Sequence, residues 1–318
     1  MRVGYFLASE EYTPTELVEQ AKRAEQAGFH ALWISDHFHP WNDEQGHSPF
    51  VWAVLGGIAA VTERVKVTTA VTCPIMRTHP AVIAQAAATT AELFGGGRFA
   101  LGVGTGEALN EHILGDHWPT PEVRLSMLEE AVELIRELWK GEMVDHDGEH
   151  YVAENARIFT LPSYTPDILV SAFGPKALEV AARIGDGFIT TSPSAEDIHS
   201  YRKQGGKGRT QGGVKVCWHE DKQQAVKIAH KTWRNSFVPG QLAQELATPT
   251  LFEQASELVT EEMVAEKVTC GTDPEEHAAA VREYIDAGFD EVYVSQMGPD
   301  QDGMIRFYEK EVLPRLRR

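Results

Sequence analysis

The chain has 318 residues, of which 42% are hydrophobic and 24% are charged, and its formal net charge is −18. This composition is typical of a globular protein with a sizeable core, and the negative charge argues against a nucleic acid or an anionic membrane as partner, because both need a clustered positive field. Three widely spaced cysteines without a C-x-x-C motif suggest neither a disulfide framework nor a thiolate zinc site.

The chain opens on an apolar run, Val3–Ala8, that is typical of a strand covered on both faces. No signal-peptide pattern precedes it, and with the cysteine usage this leads us to expect a cytoplasmic protein. A helix should begin after Thr13, because Pro14 suits its first position and Glu16 completes a capping box. Gly28 should end that helix, and the letters "ALWIS" then predict a second strand.

An amphipathic helix, a closing glycine and a short apolar strand recur along the chain, as in "AKRAEQAGFHALWIS" and "VREYIDAGFDEVYVS". Eight strands are predicted in this way, near residues 3, 31, 66, 99, 168, 187, 214 and 291. Since no G-x-G-x-x-G follows the first strand, the pattern favours a closed (β/α)8 TIM barrel over a doubly wound sheet. We expect one domain over residues 1–318, with a hairpin insertion near Met143–Ala153 and a mostly helical insertion near Asp221–Lys267.

Polar side chains follow several of these strands, at the end of the barrel where such enzymes place their active sites. Asp36, His37 and Trp41 come after the second strand, and Glu107 comes after the fourth. A His/Glu pair suits general acid–base catalysis, because different surroundings can drive the two pKa values apart. On the residues alone, the alternatives are a hydrogen-bonded loop histidine and a solvated acid that caps the next helix.

His37-Phe38-His39 is an H-x-H pair, which some metal-dependent hydrolases place on a barrel strand. Such sites need further imidazoles on later strands, yet the fifth and sixth strands end in Ser, Phe and Thr. We therefore expect no metal, and metal analysis of the purified protein tests this expectation.

Two glycine-containing turns indicate ligand contacts. The stretch "GVGTGEALNEH" follows the fourth strand and lacks the acid of a dinucleotide site, so its glycines predict close approach of the backbone to a flat ligand. Gly174-Pro175 opens a helix whose first N–H groups could bind an anion, and an ordinary strand–helix turn is the alternative.

Four stretches together, "SDHFHPW", "HPAVIAQAAAT", "LGVGTGEALNEHILGDHWP" and "AFGPKALEVAARIGDGFITTS", resemble the deazaflavin-dependent dehydrogenases of the luciferase-like superfamily. The F420-dependent glucose-6-phosphate dehydrogenase group is the most similar. The resemblance runs from Val3 to the C-terminus and is weak across Asp221–Lys267. It implies a luciferase-like barrel, hydride transfer from a carbinol carbon to C5 of coenzyme F420, and a homodimer. The apolar helix predicted at Ser48–Val61 suits either a dimer contact or the interior of the fold.

The resemblance also implies roles for individual residues. His37 matches the base that removes the hydroxyl proton, Glu107 the carboxylate that handles the proton on the coenzyme's N1 side, and Trp41 the indole that lines the site. Cys73 stands where the sugar-phosphate enzymes use Thr, and the implied peptide bond at Ala70–Val71 is cis. The implied coenzyme contacts are Asp36, Ala70, Val71, Cys73, Thr105, Gly106, Asn110, Phe173, Gly174, Lys176 and Ala177.

The match is weakest at the substrate phosphate, which the similar enzymes hold with a Thr, two Lys and an Arg. Thr191 is retained, and Lys267 replaces the Arg, which keeps the charge but loses the bidentate fork. Ser194 and Ala243 replace the two lysines. We expect oxidation of a sugar phosphate or a secondary alcohol. The alternatives are an FMN-dependent reductase or monooxygenase on the same barrel, and a non-catalytic coenzyme carrier.

Overall fold

In the computed structural model, which describes residues 2–316, eight parallel strands form a closed barrel. The strands are β1 (Arg2–Leu7), β2 (Ala31–Ile34), β3 (Lys66–Thr69), β4 (Phe99–Val103), β5 (Ile168–Ser171), β6 (Gly187–Thr190), β7 (Arg209–Cys217) and β8 (Glu291–Gln296). Each strand pairs with the next along this series, and β8 pairs with β1, so the sheet has no open edge. The predicted (β/α)8 TIM barrel is confirmed.

Within the described part of the chain, one main helix follows each barrel strand. These helices are α1 (Pro14–Gln26), α2 (Val51–Val61), α3 (Pro80–Phe94), α4 (Pro121–Leu138), α5 (Pro175–Ile184), α6 (Ala195–Lys203), α7 (Pro274–Asp286) and α8 (Gln301–Phe307). Helix α8 continues through a π-helical turn, Tyr308–Val312, into Leu313–Leu316. The capping box predicted at Thr13 is present, because its side chain accepts from the Glu16 N–H and the Glu16 side chain accepts in return.

Helix α2 is the apolar helix predicted from Ser48, and it begins at Val51. One face of α2 is buried, whereas Val61 at its end and Phe50 just before it are exposed. No charged residue interrupts the helix. No helix within residues 2–316 is both long enough and apolar enough to cross a membrane.

Two segments depart from the alternation of strands and helices. An antiparallel hairpin, Val144–Asp147 with Val152–Ala156, follows α4. The segment between β7 and α7 packs over the barrel mouth, since the Phe252 ring lies 5.0 Å from that of Trp41. It contains the helices Lys222–Trp233, Leu242–Glu245, Pro249–Ala255 and Glu261–Lys267, the 3₁₀ turn Arg234–Phe237, and the two-residue strand Thr269–Cys270, which pairs with β7. Shorter turns, Ala108–Glu111 and His112–Leu114, follow β4.

Strand β7 begins at Arg209, several residues before the strand predicted near residue 214. The prediction was wrong there because the preceding residues are polar and lack the pattern of a buried strand. Their polar groups bond inside the barrel instead. Gln211 accepts from Trp33 Nε1 at 2.8 Å and donates to Glu291 at 2.7 Å, so its amide is buried at little cost.

Alternation along β7 determines which of its side chains reach the barrel interior. Gln211 bonds inside the barrel, so Gly213 and Lys215 share its inward side. A Cβ on Gly213 would lie 2.5 Å from the Trp33 ring, and only glycine leaves room for that indole. Lys215 therefore lies above this aromatic layer, at the carboxyl end of the strand.

Candidate active site

His37 follows β2, and its imidazole is held by groups from three segments. Its Nδ1 lies 3.1 Å from the His39 carbonyl oxygen and 3.2 Å from Asn110 Nδ2. Its Nε2 lies 3.4 Å from a carboxylate oxygen of Glu10, and the Trp41 ring packs edge-on at 4.8 Å. The side chain is 10% exposed, so its neighbours fix the ring orientation.

The two contacts at Nδ1 favour opposite tautomers of the neutral imidazole. The His39 carbonyl can only accept, so it favours a proton on Nδ1 and a lone pair on Nε2. The Asn110 side-chain oxygen already accepts from the backbone N–H groups of Phe38 and His39, at 2.9 and 3.1 Å. Its NH₂ group therefore faces Nδ1 as a donor. The ring therefore has an acceptor and a donor beside Nδ1 and a carboxylate beside Nε2, an arrangement that suits general acid–base catalysis.

Glu10 is a site residue that the sequence analysis missed. One carboxylate oxygen accepts from Trp41 Nε1 at 3.2 Å, and the other accepts from Ser35 Oγ at 2.6 Å. Glu10 is followed by Glu11 in a chain with 47 Asp and Glu residues, so the sequence gives little reason to single out this acid. The available signal was the position of this pair just after β1. Glu11, the second member, accepts from Trp233 Nε1 at 2.8 Å, and burial raises the pKa of Glu11 well above its usual range.

A buried charge cluster of Asp36, Arg77 and Glu111 supports the His37 loop. The Arg77 guanidinium donates to Asp36 at 2.9 Å, and the Arg77 backbone N–H donates to Glu111 at 2.8 Å. Asp36 also accepts from Thr72 Oγ1 at 2.9 Å. Burial raises the pKa of Glu111 to about 7, although the charge on Arg77 opposes that rise. Asp36 is thus fixed within the fold at the edge of the predicted coenzyme site.

The wall between β3 and β4 consists mainly of small side chains. The peptide bond Ala70–Val71 is cis, as the resemblance implied. Gly106 has a φ of +70°, and a Cβ there would lie 2.5 Å from Cys73 Sγ, so this turn requires glycine. Cys73 is buried, and burial raises the pKa of its thiol well above the usual range, so the thiol is neutral. Thr105 lies beside Gly106 and is half-buried.

Glu107 lies at the N-cap position of the Ala108–Glu111 turn, but its side chain makes no capping hydrogen bond. Glu107 is half-buried. Asn110 lies in the same turn and contacts His37. The structure therefore brings the turn that carries Glu107 against the loop that carries His37.

The predicted tail-binding segment lies at the start of α5 and is open to solvent. Gly174 is the N-cap residue, with a φ of +92°, and a Cβ on it would meet no atom within 4 Å. Phe173 is 59% exposed, and Lys176 pairs with Glu122 on the surface at 3.0 Å. Ala177 is half-buried. The first N–H groups of a helix lack partners within it, so this end can accept an anion.

The two predicted substrate residues, Thr191 and Lys267, line one cavity of about 1120 Å³. Both are exposed. Lys267 lies in the last turn of its helix, with Nζ 5.7 Å from the centre of the Phe237 ring. The structure thus brings together two residues that are far apart in the sequence.

The two residues that replace lysines in the similar enzymes have structural contacts here. Ser194 Oγ accepts from the Asp197 N–H at 3.0 Å and caps α6. Ala243 packs against an apolar cluster that includes Leu109 and Phe252. Neither position supplies a positive charge to the cavity.

Lys215, which the sequence analysis did not select, also lines this cavity. Its Nζ donates to Ser236 Oγ at 2.7 Å and lies 4.6 Å from the centre of the Trp233 ring. The signal in the sequence was a lysine at an inward position of a barrel strand, where a charged side chain is unusual.

The H-x-H pair does not converge on one point. His39 directs Nδ1 to the Leu109 carbonyl oxygen at 2.9 Å, whereas His37 contacts Glu10 and Asn110. Among residues 2–316, no group of three or more His, Cys, Asp or Glu side chains is arranged to hold a metal ion.

Comparison with known proteins identifies the family. The chain matches the family model for luciferase-like monooxygenase over residues 1–291. It is 36% identical to the F420-dependent glucose-6-phosphate dehydrogenases of Microbacterium testaceum and Mycobacterium avium, over 100% of this chain and 98% of each relative. An F420-dependent secondary alcohol dehydrogenase, solved in complex with an F420-acetone adduct, matches with a TM-score of 0.92 and 30% identity, over 100% of this chain and 99% of that one. The coenzyme F420-dependent tetrahydromethanopterin reductase of Methanopyrus kandleri shares the fold, with a TM-score of 0.76 and 22% identity over 99% of both chains. The chain therefore belongs to the luciferase-like monooxygenase family.

Proposed function

We propose that this protein is an F420-dependent dehydrogenase that transfers a hydride from a substrate carbinol to the coenzyme. The two F420-dependent relatives, which are 36% identical over 98% of their length, support this function, and so does the structural neighbour named as an F420-dependent secondary alcohol dehydrogenase. The observation in the fold that carries the proposal is the imidazole of His37, held at the barrel mouth between Asn110 and Glu10.

The residues at the barrel mouth fit a deazaflavin coenzyme. F420, when bound, supplies C5 of its ring as the hydride acceptor. The small side chains of the wall between β3 and β4 suit a flat ring, and the open N-terminus of α5 suits a phosphate. Asp36, Ala70, Val71, Cys73, Thr105, Gly106 and Asn110 would hold the ring, and Phe173, Gly174, Lys176 and Ala177 would hold the phosphate tail.

In this proposal His37 removes the proton from the carbinol hydroxyl group. When the Nδ1 proton is directed to the His39 carbonyl, Nε2 carries the lone pair that accepts the substrate proton. The imidazolium that forms faces the Glu10 carboxylate at 3.4 Å, and this opposite charge stabilises it in the buried site. Trp41 packs against the ring and helps to exclude water.

Glu107 is assigned to hold the proton that is exchanged on the N1 side of the coenzyme. Its carboxylate makes no capping bond in its own turn and is half-buried, so it is accessible both to a ligand and to solvent protons. The loop of His37 and the turn of Glu107 are joined through Asn110, which supports a joint role in one site.

Thr191 and Lys267 are assigned to the substrate. Their shared cavity suits an anionic group, and Lys267 supplies one positive charge to it. Charge-assisted hydrogen bonds contribute about 1.5–3 kcal/mol each, so the loss of two of the three cations at the implied phosphate positions should weaken phosphate binding at those positions. Both a sugar phosphate and a secondary alcohol are candidate substrates.

A coenzyme-reduction screen tests the function. The purified protein is mixed with F420, sugar phosphates and small secondary alcohols are added, and the loss of oxidised F420 is followed by absorbance. We expect reduction with at least one substrate, and a roughly tenfold higher KM for phosphate-bearing substrates in Lys267→Ala. An enzyme that uses FMN would instead carry a yellow flavin and show no F420 reduction, which would overturn the proposal.

We also propose that the protein forms a homodimer through α2. Val61 and the neighbouring Phe50 leave apolar surface exposed beside a helix without charges, as a subunit interface requires. Light scattering after size-exclusion chromatography should give twice the mass of one chain, and Val61→Glu should shift the protein towards the monomer. A monomeric wild-type protein would contradict this proposal.

A further inference from the structure

A second set of polar side chains lies at the barrel mouth, on β7 and β8. Ser295 of β8 is the register partner of Lys215 of β7, and it alternates with Glu291 and Tyr293, which bond inside the barrel. Its side-chain oxygen is buried and has no hydrogen-bond partner within residues 2–316, and the residue is 4% exposed. Buried hydroxyl groups are normally paired, so this one points to a ligand that supplies the missing bond.

The ammonium group of Lys215 is held in place on the strand beside Ser295. Of its three N–H donors, one is used by Ser236, and the group lies against the Trp233 ring. Burial lowers the pKa of Lys215 to about 8, while Glu10 and Glu11 oppose that fall, so the side chain is mainly protonated at neutral pH. Two N–H groups of Lys215 therefore remain to donate hydrogen bonds to an acceptor atom of a ligand.

Strand order places this pair between the two parts of the proposed site. Around the barrel mouth, the sequence of strands is β2, β1, β8, β7, β6. His37 follows β2 and Thr191 follows β6, so Ser295 and Lys215 lie on the strands between them. Lys215 and Thr191 also line the same cavity. A substrate that reaches from His37 to Thr191 would pass over the Lys215/Ser295 pair.

We propose that Lys215 and Ser295 form a subsite for a second oxygen atom of the substrate, a hydroxyl or an oxyanion, between the reacting carbinol and the group near Thr191. This inference rests on the proposed dehydrogenase function and names its substrate class. The subsite selects a polyoxygenated molecule, such as a sugar or sugar phosphate, over a plain secondary alcohol. A plain alcohol would leave the Ser295 hydroxyl without a partner, and sites that leave polar groups unpaired discriminate strongly.

Paired kinetics with glucose 6-phosphate and 2-propanol test this subsite in the F420-loaded enzyme. Lys215→Met should raise the KM for glucose 6-phosphate about tenfold or more, and Ser295→Ala about threefold. The KM for 2-propanol and the Kd for F420 should not change, and Lys215→Arg should recover part of the loss. Lys140→Met is the matched control, because Lys140 pairs with Glu137 at 2.6 Å on the surface and does not line the cavity, so its loss should have no effect.

Other results would overturn the subsite. Equal losses with both substrates would mean that Lys215 acts through Glu10 on the chemistry, and an unchanged KM for glucose 6-phosphate would mean that it makes no contact. A wild-type enzyme that reduces F420 with none of the sugar phosphates or secondary alcohols of the screen would refute the dehydrogenase function. Calorimetric titration of glucose 6-phosphate would then decide the subsite separately, because equal binding by wild type and Lys215→Met, or no binding at all, would overturn it. Lys215→Gln replaces the Met variant if the latter does not fold.

Discussion

The two sides of the barrel mouth are built in different ways. On the side of β1 to β4, the side chains of His37, Asp36 and Asn110 are held by hydrogen bonds or ion pairs and are almost fully buried. On the side of β6 and β7, Thr191 and Lys267 are exposed and face a cavity of about 1120 Å³. The first side would fix the geometry of the proposed proton transfer, whereas we expect side chains on the second side to be replaceable with little effect on the fold.

Replacing the imidazole should have the largest effect. His37→Ala removes the proposed base, and we expect kcat to fall by about 10²–10⁴-fold while the Kd for F420 stays near the wild-type value. Steady-state kinetics and a fluorescence titration of F420 measure the two quantities. Turnover close to that of wild type would mean that His37 is not the base and would refute its proposed role.

Asn110→Ala should have the next largest effect, because this amide joins the two segments to which we assign the chemistry, the His37 loop and the Glu107 turn. The change removes the acceptor for two backbone N–H groups and the contact with His37. We expect kcat to fall by roughly 10–100-fold and the free energy of unfolding to fall by about 1–3 kcal/mol. Asn110→Asp keeps the acceptor and should retain more stability than the Ala variant. A loss of coenzyme affinity alone would show that Asn110 serves the ligand and not the loop.

Glu111→Gln tests the buried charge cluster through the pH dependence of stability. The pKa of Glu111 is raised from 4.5 to about 7, so between these values the folded protein binds more protons than the unfolded chain. The contribution of Glu111 to the free energy of unfolding is therefore complete below pH 4.5. It is lost as the pH rises through 7, and the loss is roughly 1–3 kcal/mol. Urea unfolding from pH 5 to pH 8 should show a steeper decline for wild type than for the variant. Parallel profiles would mean that Glu111 is ionised throughout.

Thr191→Val should have the smallest effect, because Thr191 lies on the exposed side of β6 and β7 and not on the buried side of β1 to β4. Thr191 is exposed, so the Tm should stay within about 1 °C of wild type, while the KM for a sugar phosphate rises about threefold. Thermal unfolding and steady-state kinetics measure both quantities. A large loss of stability would show that the side of β6 and β7 tolerates substitution no better than the side of β1 to β4.

The fold could be predicted because each barrel unit has a local pattern. Apolar strands covered on both faces, and helices closed by glycines such as Gly28, are visible without knowledge of their neighbours. The His37 loop could be found for the same reason, since strand ends can be located along the chain. The start of β7 was not predicted, because Gln211 is satisfied by partners on other strands.

The supporting residues of the site depend on contacts that the sequence does not reveal. Glu10 reaches His37 from another strand, and Arg77 joins Asp36 to Glu111 although these three residues lie in separate segments. Charged residues are common along this chain, so the residue type alone does not distinguish these four from the others. Only strand order and burial identify them, and the same holds for the pairing of Lys215 with Ser295.

The serine that caps α6 limits how this protein can evolve. The resemblance implies a lysine at the position of Ser194, whose hydroxyl accepts from the Asp197 N–H in the first turn of the helix. Replacing Ser194 by lysine would remove a cap worth about 0.5–2 kcal/mol. A lysine at this position would therefore need a compensating change elsewhere, so the charge of the cavity is linked to the stability of α6.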